Sequence, residues 1–298
     1  MIMHDDQVDV TPEMVAALVH EQFPQWSGKA IRLLPSTGTV NAIFRIGHDL
    51  SARFPLRVAD AAGALAVLEQ EARASAELAG VSRFPVPVPV ALGKPGAGYP
   101  MPWSVQTWLP GTVAFDADPS GSDAFAEDLA AFIAALRAAE TRGRLFSGEG
   151  RGGVLTDHDE WMAECFEESK GLLDVPRLRQ AWRHFRELPR TGADVMSHGD
   201  LIPGNVLVEG GRLKGVLDTG GFGPADPALD LVSAWHLLQP GPREVLRRAL
   251  GCGDVEWERG KAWAFQQAMG VVWYYVQSNP SMSNMGRRTL DRILQSME

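Results

Sequence analysis

Ser197-His198-Gly199-Asp200-Leu201-Ile202-Pro203-Gly204-Asn205 is the stretch on which the reading of this chain turns. Asp200 and Asn205 flank a Pro-Gly turn, so one loop presents a carboxylate and an amide to a common cleft. A β run, Val206–Val208, follows at once. Glu209-Gly210-Gly211-Arg212 turns it back into a second run, Leu213–Leu217, which ends at Asp218-Thr219-Gly220. A hairpin returns its second strand beside the first, which predicts Asp218 near Asn205. An Asp and an Asn together offer hard oxygen ligands of the kind magnesium takes. Asp200 is then left to orient or deprotonate a hydroxyl. Any one of the three alone also reads as a turn residue or a strand-end cap; the ordered set of three carries the chemical reading.

A loop Asp, an Asn five positions on and a later Asp-x-Gly form the pattern used in phosphoryl transfer. Here His-Gly-Asp stands for His-Arg-Asp, and Asp-Thr-Gly for Asp-Phe-Gly. With Asp226-Pro-Ala-Leu-Asp230 following, the chain resembles the aminoglycoside phosphotransferase family, a branch of the protein-kinase-like small-molecule kinases. The resemblance runs from about residue 35 to 295 and is most specific over 197–235. It implies an α+β, bilobal protein-kinase-like fold with ATP between the lobes: a small β-rich N-terminal lobe over 1–108 and a larger helical C-terminal lobe over 109–298. Asp200 would be the catalytic residue, and Asn205 and Asp218 would hold Mg2+.

The resemblance also assigns the β-rich lobe. Ser36 to Asn41 would be the phosphate-covering loop, with Thr37, Gly38 and Asn41 on the nucleotide, although it has one glycine where protein kinases have three. Arg53 takes the place of the phosphate-gripping Lys, and its planar fork suits phosphate oxygens; Arg57 is the alternative if the register slips. Glu71 would hold that cation, while Glu69 and Glu77 read as solvated helix charges. Trp103 to Leu109 would enter the hinge, where adenine meets backbone groups near Gln106, Thr107, Trp108 and Leu109.

Composition bounds the remaining possibilities. The chain has 298 residues, 45% apolar and 22% charged, which fits a soluble globule and argues against disorder or a coiled coil. Its 28 basic and 37 acidic residues leave a net charge of −9, a poor field for nucleic acid or an anionic membrane. Cys165 and Cys252 form no CxxC pair and read as reduced packing residues of a cytoplasmic protein. The polar, acidic start is no signal peptide. No stretch reaches the roughly 18 apolar residues of a membrane span; the nearest, Ala262–Val276, carries Gln266 and Gln267. No obligatory protein partner is indicated.

Periodicity predicts a helix opening at Thr11-Pro12, a hairpin of Ala42–Ile46 and Leu50–Val58, an Ala-rich helix over Ala61–Ala79 ending at Gly80, extended chain over Val86–Val90 and a strand over Trp103–Leu109. Beyond residue 110 helices dominate: Asp123–Ala139, Asp159–Lys170, Pro176–Leu188, Pro227–Leu238, Pro242–Leu250, Glu256–Ser278 and one from Ser283. Val206–Val208 and Leu213–Leu217 are the strands expected there. Ser147 to Gly153 reads as a Gly-rich loop.

Asp226 precedes Pro227 and reads as a helix cap. Asp226 and Asp230 are both taken as structural, with Asp226 tying down the 198–205 loop, and His198 as a loop organiser. The acceptor would meet walls from 150–190, with Asp157, Asp159, Glu160, Glu164, Glu167 and Glu168, and from 256–285, with Trp273, Tyr274, Tyr275, Asn279 and Asn284. The acids would attract a polycation or simply form a solvated face; the aromatics would stack a sugar or belong to the core. The expected activity is ATP-dependent phosphorylation of a small-molecule hydroxyl. An aminoglycoside-type antibiotic comes first, with a macrolide, sugar, homoserine or choline-like metabolite as alternatives. A nucleotide-binding pseudokinase would have lost Asp200, Asn205 or Asp218, and none is lost. A protein kinase would need an activation loop, for which the short step from Asp218 to Pro227 leaves little room.

Overall fold

The structure, a computed structural model, describes residues 7–34, 40–58 and 60–297. The chain divides into two compact units that are not two continuous halves. The first takes Met1–Gly80, Pro85–Pro110 and Leu217–Gly220; the second takes Val81–Phe84, Gly111–Val216 and Gly221–Glu298.

In the first unit, α1 (Pro12–Gln22) starts where Thr11 accepts from the Met14 N–H and Pro12 fills the first helical position. The sheet combines β1 (Ile31–Leu33), β2 (Asn41–Ile46) and β3 (Leu50–Pro55); α2 (Ala61–Val81) follows, then β4 (Pro89–Gly93) and β5 (Trp103–Thr107). The strand order is β1-β2-β3-β5-β4, antiparallel throughout. Alternation along β3 decides what faces where. Leu50, Ala52 and Phe54 join Val15, Leu18 and Val19 of α1 in the core, where Phe54 stacks on Trp103 at 4.8 Å. Ser51 and Arg53 therefore point the other way. On α2, Leu68, Glu71, Ala72 and Ser75 share one face at helical spacing and line a cavity with Arg53.

The second unit begins with β6 (Thr112–Val113) and α3 (Ala114–Ala117), followed by α4 (Asp123–Ala138), capped by Ser122. Next come α5 (Asp159–Glu168), α6 (Val175–Phe185), β7 (Val195–Ser197), β8 (Val206–Glu209), β9 (Arg212–Val216) and β10 (Gly223–Ala225). The chain ends in α7 (Val232–Leu237), α8 (Pro240–Leu250), α9 (Asp254–Tyr274) and α10 (Pro280–Gln295). β6-β8-β9 form one small sheet, and β7 and β10 pair as a two-stranded ribbon. α9 is the buried axis: fourteen of its residues, Arg259, Gln266 and Gln267 among them, are buried.

Several elements differ from the periodicity reading. β1, β6, β7 and β10 were not expected; each has two or three residues, too few to show a period of two. α2 runs through Gly80, because an isolated Gly weakens a helix without ending it. The helix expected over Pro227–Leu238 is instead a 3-10 turn at Leu229–Leu231 followed by α7. No helix of the described residues is long and apolar enough to cross a membrane.

Candidate active site

The 198–205 loop belongs to the second unit and is built from the inside. Gly199 has φ +82, a left-handed conformation that explains glycine in the middle of His-Gly-Asp. Asp230, buried at 2% exposure, accepts the N–H groups of His198 and Gly199 with its two oxygens, each at 2.9 Å. Tying down this loop is therefore the work of Asp230, which corrects its assignment to Asp226. Asp226 caps instead, through Ala228 N–H at 3.0 Å, and forms a fully buried ion pair with Arg259, whose Nε lies 2.9 Å from it. His198 is buried and accepts the Asp200 N–H at Nδ1, 3.2 Å away, as a loop organiser should.

Three side chains converge on the Asp200 carboxylate. Arg151 donates from Nη2 to Oδ1 at 2.8 Å, Gln267 donates from Nε2 to the same oxygen at 2.6 Å, and Asn205 donates from Nδ2 to Oδ2 at 2.9 Å. Asn205 Nδ2 also reaches the Asp200 carbonyl at 3.0 Å. Both acceptors force its amide nitrogen inward and turn its carbonyl oxygen away. An amide oxygen is a hard donor of the kind a divalent cation takes.

Arg151 and Gln267 were not singled out as site residues in the sequence. Arg151 sits in the Gly-rich loop, and packing fixes it there. A Cβ on Gly152, at φ +115, would meet Ala225 Cβ at 2.8 Å, and the Asp226 N–H bonds the Gly152 carbonyl at 2.8 Å. A cation flanked by close-packing glycines was the available signal. For Gln267 it was an adjacent pair of glutamines inside an apolar helix.

The first unit holds a second group of polar residues. Arg53 Nη2 donates to Asp218 Oδ1 at 2.8 Å. Asp218 has φ +56, a left-handed conformation that Asp tolerates better than most residues. Thr219 donates its hydroxyl to Ser75 at 2.8 Å. A Cβ on Gly220 would meet Glu71 Cγ at 2.8 Å, so glycine is required for α2 to pack there. Glu71 does not hydrogen-bond Arg53, whose fork goes to Asp218. Burial pushes the Glu71 carboxyl up, the Arg53 charge opposes this, and the Asp218 charge adds to it. Arg53, Glu71, Ser75, Gln106 and Gly220 line one cavity of about 230 Å3. Arg57, the alternative to Arg53, is exposed and pairs in a bridge with Gln7. Glu69 is exposed and lies 3.9 Å from Arg73.

Among the other expected nucleotide contacts, Asn41 is half-buried at the start of β2, opposite Pro55. Thr37 and Gly38 lie outside the described residues. At the expected hinge, the Thr107 N–H is bonded to the Val88 carbonyl and the Trp108 N–H to the Asp49 carbonyl, at 2.9 and 2.8 Å. Arg45 lies over the Trp108 ring at 4.8 Å, and Leu109 is half-buried at the end of this segment.

The two acceptor walls are of mixed character. Asp159 is bound to Arg186 and Trp182, which hold its carboxyl below the usual range, and Glu167 is paired with Lys170 and Arg179. Trp161 lies beside Trp273, 5.9 Å between centroids, and Tyr274 beside Tyr275 at 4.8 Å. Asn279 caps α10, accepting from the Met282 N–H, and Asn284 is exposed. Cys165 and Cys252 are free and buried, and burial raises the Cys165 thiol to about 11. No cluster of three or more His, Cys, Asp or Glu able to hold a metal exists among the described residues. Magnesium binds through one or two carboxylates plus phosphate oxygens, so it needs no such cluster.

Comparison with known proteins gives a consistent result. A model of the phosphotransferase enzyme family APH matches residues 32–263. An aminoglycoside 3'-phosphotransferase of Escherichia coli is 26% identical over 156 residues, 46% of this chain and 52% of that protein. One of Salmonella typhimurium is 26% identical over 143 residues. The chain thus spans about half the length of the curated relatives it matches. Among solved structures, the GDP complex of aminoglycoside 2'-phosphotransferase-IIIa superposes with a TM-score of 0.73 at 19% identity, covering 97% of this chain and 100% of that one. A macrolide 2'-phosphotransferase from Brachybacterium faecium gives 0.64 at 19% identity, covering 93% and 98%. The fold is the α+β, kinase-like one of these enzymes.

Proposed function

Because the chain belongs to the phosphotransferase enzyme family, we propose that it transfers the γ-phosphoryl group of ATP to a hydroxyl of a small molecule, an aminoglycoside-type antibiotic first among them. The observation that carries this reading is the convergence of three side-chain donors, from Arg151, Gln267 and Asn205, on the Asp200 carboxylate. These donors hold the carboxylate in one orientation, from which it can take the proton of an acceptor hydroxyl.

In this reading the acceptor hydroxyl gives its proton to Asp200 while its oxygen forms the new bond to the γ-phosphorus. The bond between that phosphorus and the β–γ bridging oxygen breaks, and ADP leaves with the electron pair. Asp200 then returns the proton to solvent. Arg53 binds phosphate oxygens through its fork, and Glu71 lines the same cavity. Asn205 and Asp218 would hold Mg2+, which neutralises phosphate charge when bound. Each offers an oxygen of the right chemistry. Asn41 would face the phosphates, and the segment from Gln106 to Leu109 would meet the base through groups other than the Thr107 and Trp108 N–H, which are bonded to Val88 and Asp49. An ATP donor and two free cysteines fit the cytoplasm.

The antibiotic assignment is supported by the curated relatives, both aminoglycoside 3'-phosphotransferases. The test is an ADP-release assay with ATP or GTP and a panel of kanamycin, a macrolide, homoserine and choline. Kanamycin-dependent ADP release supports the full reading. Release dependent on another alcohol of the panel keeps the phosphotransferase and replaces the acceptor. Nucleotide binding without turnover on any acceptor contradicts the proposal.

A further inference from the structure

A line of buried polar groups lies behind Asp200 in the second unit. Gln267 of α9, His236 of α7 and Thr289 of α10 are 6%, 3% and 1% exposed. Gln267 Nε2 lies 2.6 Å from Asp200 Oδ1, Gln267 Oε1 lies 3.1 Å from His236 Nε2, and His236 Nδ1 lies 2.9 Å from Thr289 Oγ1. We infer that Gln267, oriented in turn by His236, is a positioning residue that fixes the rotation of the Asp200 carboxylate for proton transfer. This rests on the reading of Asp200 as the proton acceptor.

Proton bookkeeping along the line leaves one arrangement. Gln267 turns its NH2 toward Asp200, Nε2 donating to Oδ1. Its carbonyl oxygen then faces His236 Nε2, which must carry the hydrogen. His236 Nδ1 is therefore bare and accepts from the Thr289 hydroxyl. The imidazole must be neutral for this, and burial holds its pKa down at about 3, with the Arg151 and Arg292 charges acting in the same direction. One tautomer and one amide orientation follow from the order of donors and acceptors along the line.

The line has a consequence at the carboxylate. Oδ1 takes two donors, from Arg151 and Gln267, whereas Oδ2 takes one, from Asn205. Oδ2 is thus the oxygen with capacity left for an acceptor hydroxyl. The terminal torsion of an Asp is broad and twofold, so without these donors the carboxylate would rotate. A core position with no task would favour an apolar side chain over three polar groups satisfied only by one another.

The test has one arm that needs no acceptor and one that does. With uniformly labelled 15N-histidine protein, long-range 1H–15N correlation reads the His236 tautomer, its signals identified by their loss in His236→Gln. The Nε2–H form is expected; the Nδ1–H form overturns the inference. In the second arm kanamycin phosphorylation is followed in variants of confirmed fold. Gln267→Leu and His236→Leu are expected to lower kcat about 10- to 100-fold, the scale of a misplaced reacting group, while KM for ATP and kanamycin stays within about twofold. His236→Gln can still donate to the Gln267 carbonyl and is expected to recover most of kcat. Wild-type kcat in Gln267→Leu, or equal loss in His236→Leu and His236→Gln, overturns the inference. If kanamycin is not phosphorylated, the acceptor assignment fails, and the tautomer still decides the positioning line.

Discussion

Arg53 and Asp218, 165 positions apart in sequence, share an ion pair at 2.8 Å within the β-rich unit. Asp-Thr-Gly follows the last strand of the small β6-β8-β9 sheet and belongs to the same unit as Arg53. Asp218 is 45% exposed at its side chain, so solvent screens the pair and its contribution to stability is small, below about 1 kcal/mol. In the proposed function its value lies in placing a cation and a carboxylate side by side, for a nucleotide and its metal to re-partner both.

Arg53→Ala is therefore expected to weaken ATP binding about 10-fold or more while moving the melting temperature little, and Arg53→Lys to recover part of the affinity without the bidentate fork. Asp218→Ala is expected to remove the magnesium-dependent part of the binding. Isothermal titration with ATP, with and without Mg2+, measures both. Unchanged affinity in Arg53→Ala contradicts its role.

The buried pair of Asp226 and Arg259 gives the opposite prediction. Their side chains are 0% and 2% exposed, and Asp226 also accepts from Trp263 Nε1 at 3.2 Å. Removing one partner strands a charge in the core, so Arg259→Leu and Asp226→Ala should each destabilise by about 3–5 kcal/mol. Urea unfolding checks this. Arg259 also donates to the Gly153 carbonyl, at 3.4 Å, next to the residues that carry Arg151, so partial loss of activity is expected in any folded fraction.

How much of this was legible beforehand depended on the range of each interaction. Asp200, Asn205 and Asp218 lie within one hairpin of each other, and their order alone suggested the chemistry. Arg53 and Glu71 came through family resemblance, and β3 alternation and the α2 face then explain why both line one cavity. Arg151 and Gln267 reach Asp200 across 49 and 67 positions, which no local pattern encodes. The exchange of roles between Asp226 and Asp230 has the same origin. Both fit a cap by sequence, and only the packing of α9 shows that Arg259 takes one of them. The short strands β1, β7 and β10 were hidden because pairing, not composition, creates them.

Acid stability should report His236. Its folded pKa of about 3 lies below the ordinary value of 6.5, so the unfolded chain binds a proton that the folded chain refuses. Stability from this group is complete above about pH 6.5 and falls as pH drops toward 3, by up to about 1.4 kcal/mol per pH unit. His158, also pushed down by burial and by Arg151, adds in the same direction. His236→Gln should flatten the pH dependence of chemical denaturation between pH 6.5 and about 5.5, above the range where most carboxylates titrate. An unchanged slope contradicts a neutral buried imidazole.

Gly199→Ala should separate conformation from contact. The φ of +82 makes any side chain strained, and the nearest atom to an added Cβ, Leu229 Cδ2 at 3.7 Å, is no clash. A loss of about 1–2 kcal/mol in stability is expected from the backbone alone, with a fall in kcat from the displaced Asp200. Thermal melts and kcat on the same samples check it.

The most direct measurement is transfer of labelled γ-phosphate from ATP to kanamycin by the wild type and by Asp200→Asn, with ATP affinity measured on both. The account predicts phosphorylated kanamycin from the wild type, a loss of at least about 1,000-fold in turnover for Asp200→Asn from loss of the proton acceptor, and equal ATP binding. Near-normal transfer by Asp200→Asn would contradict it.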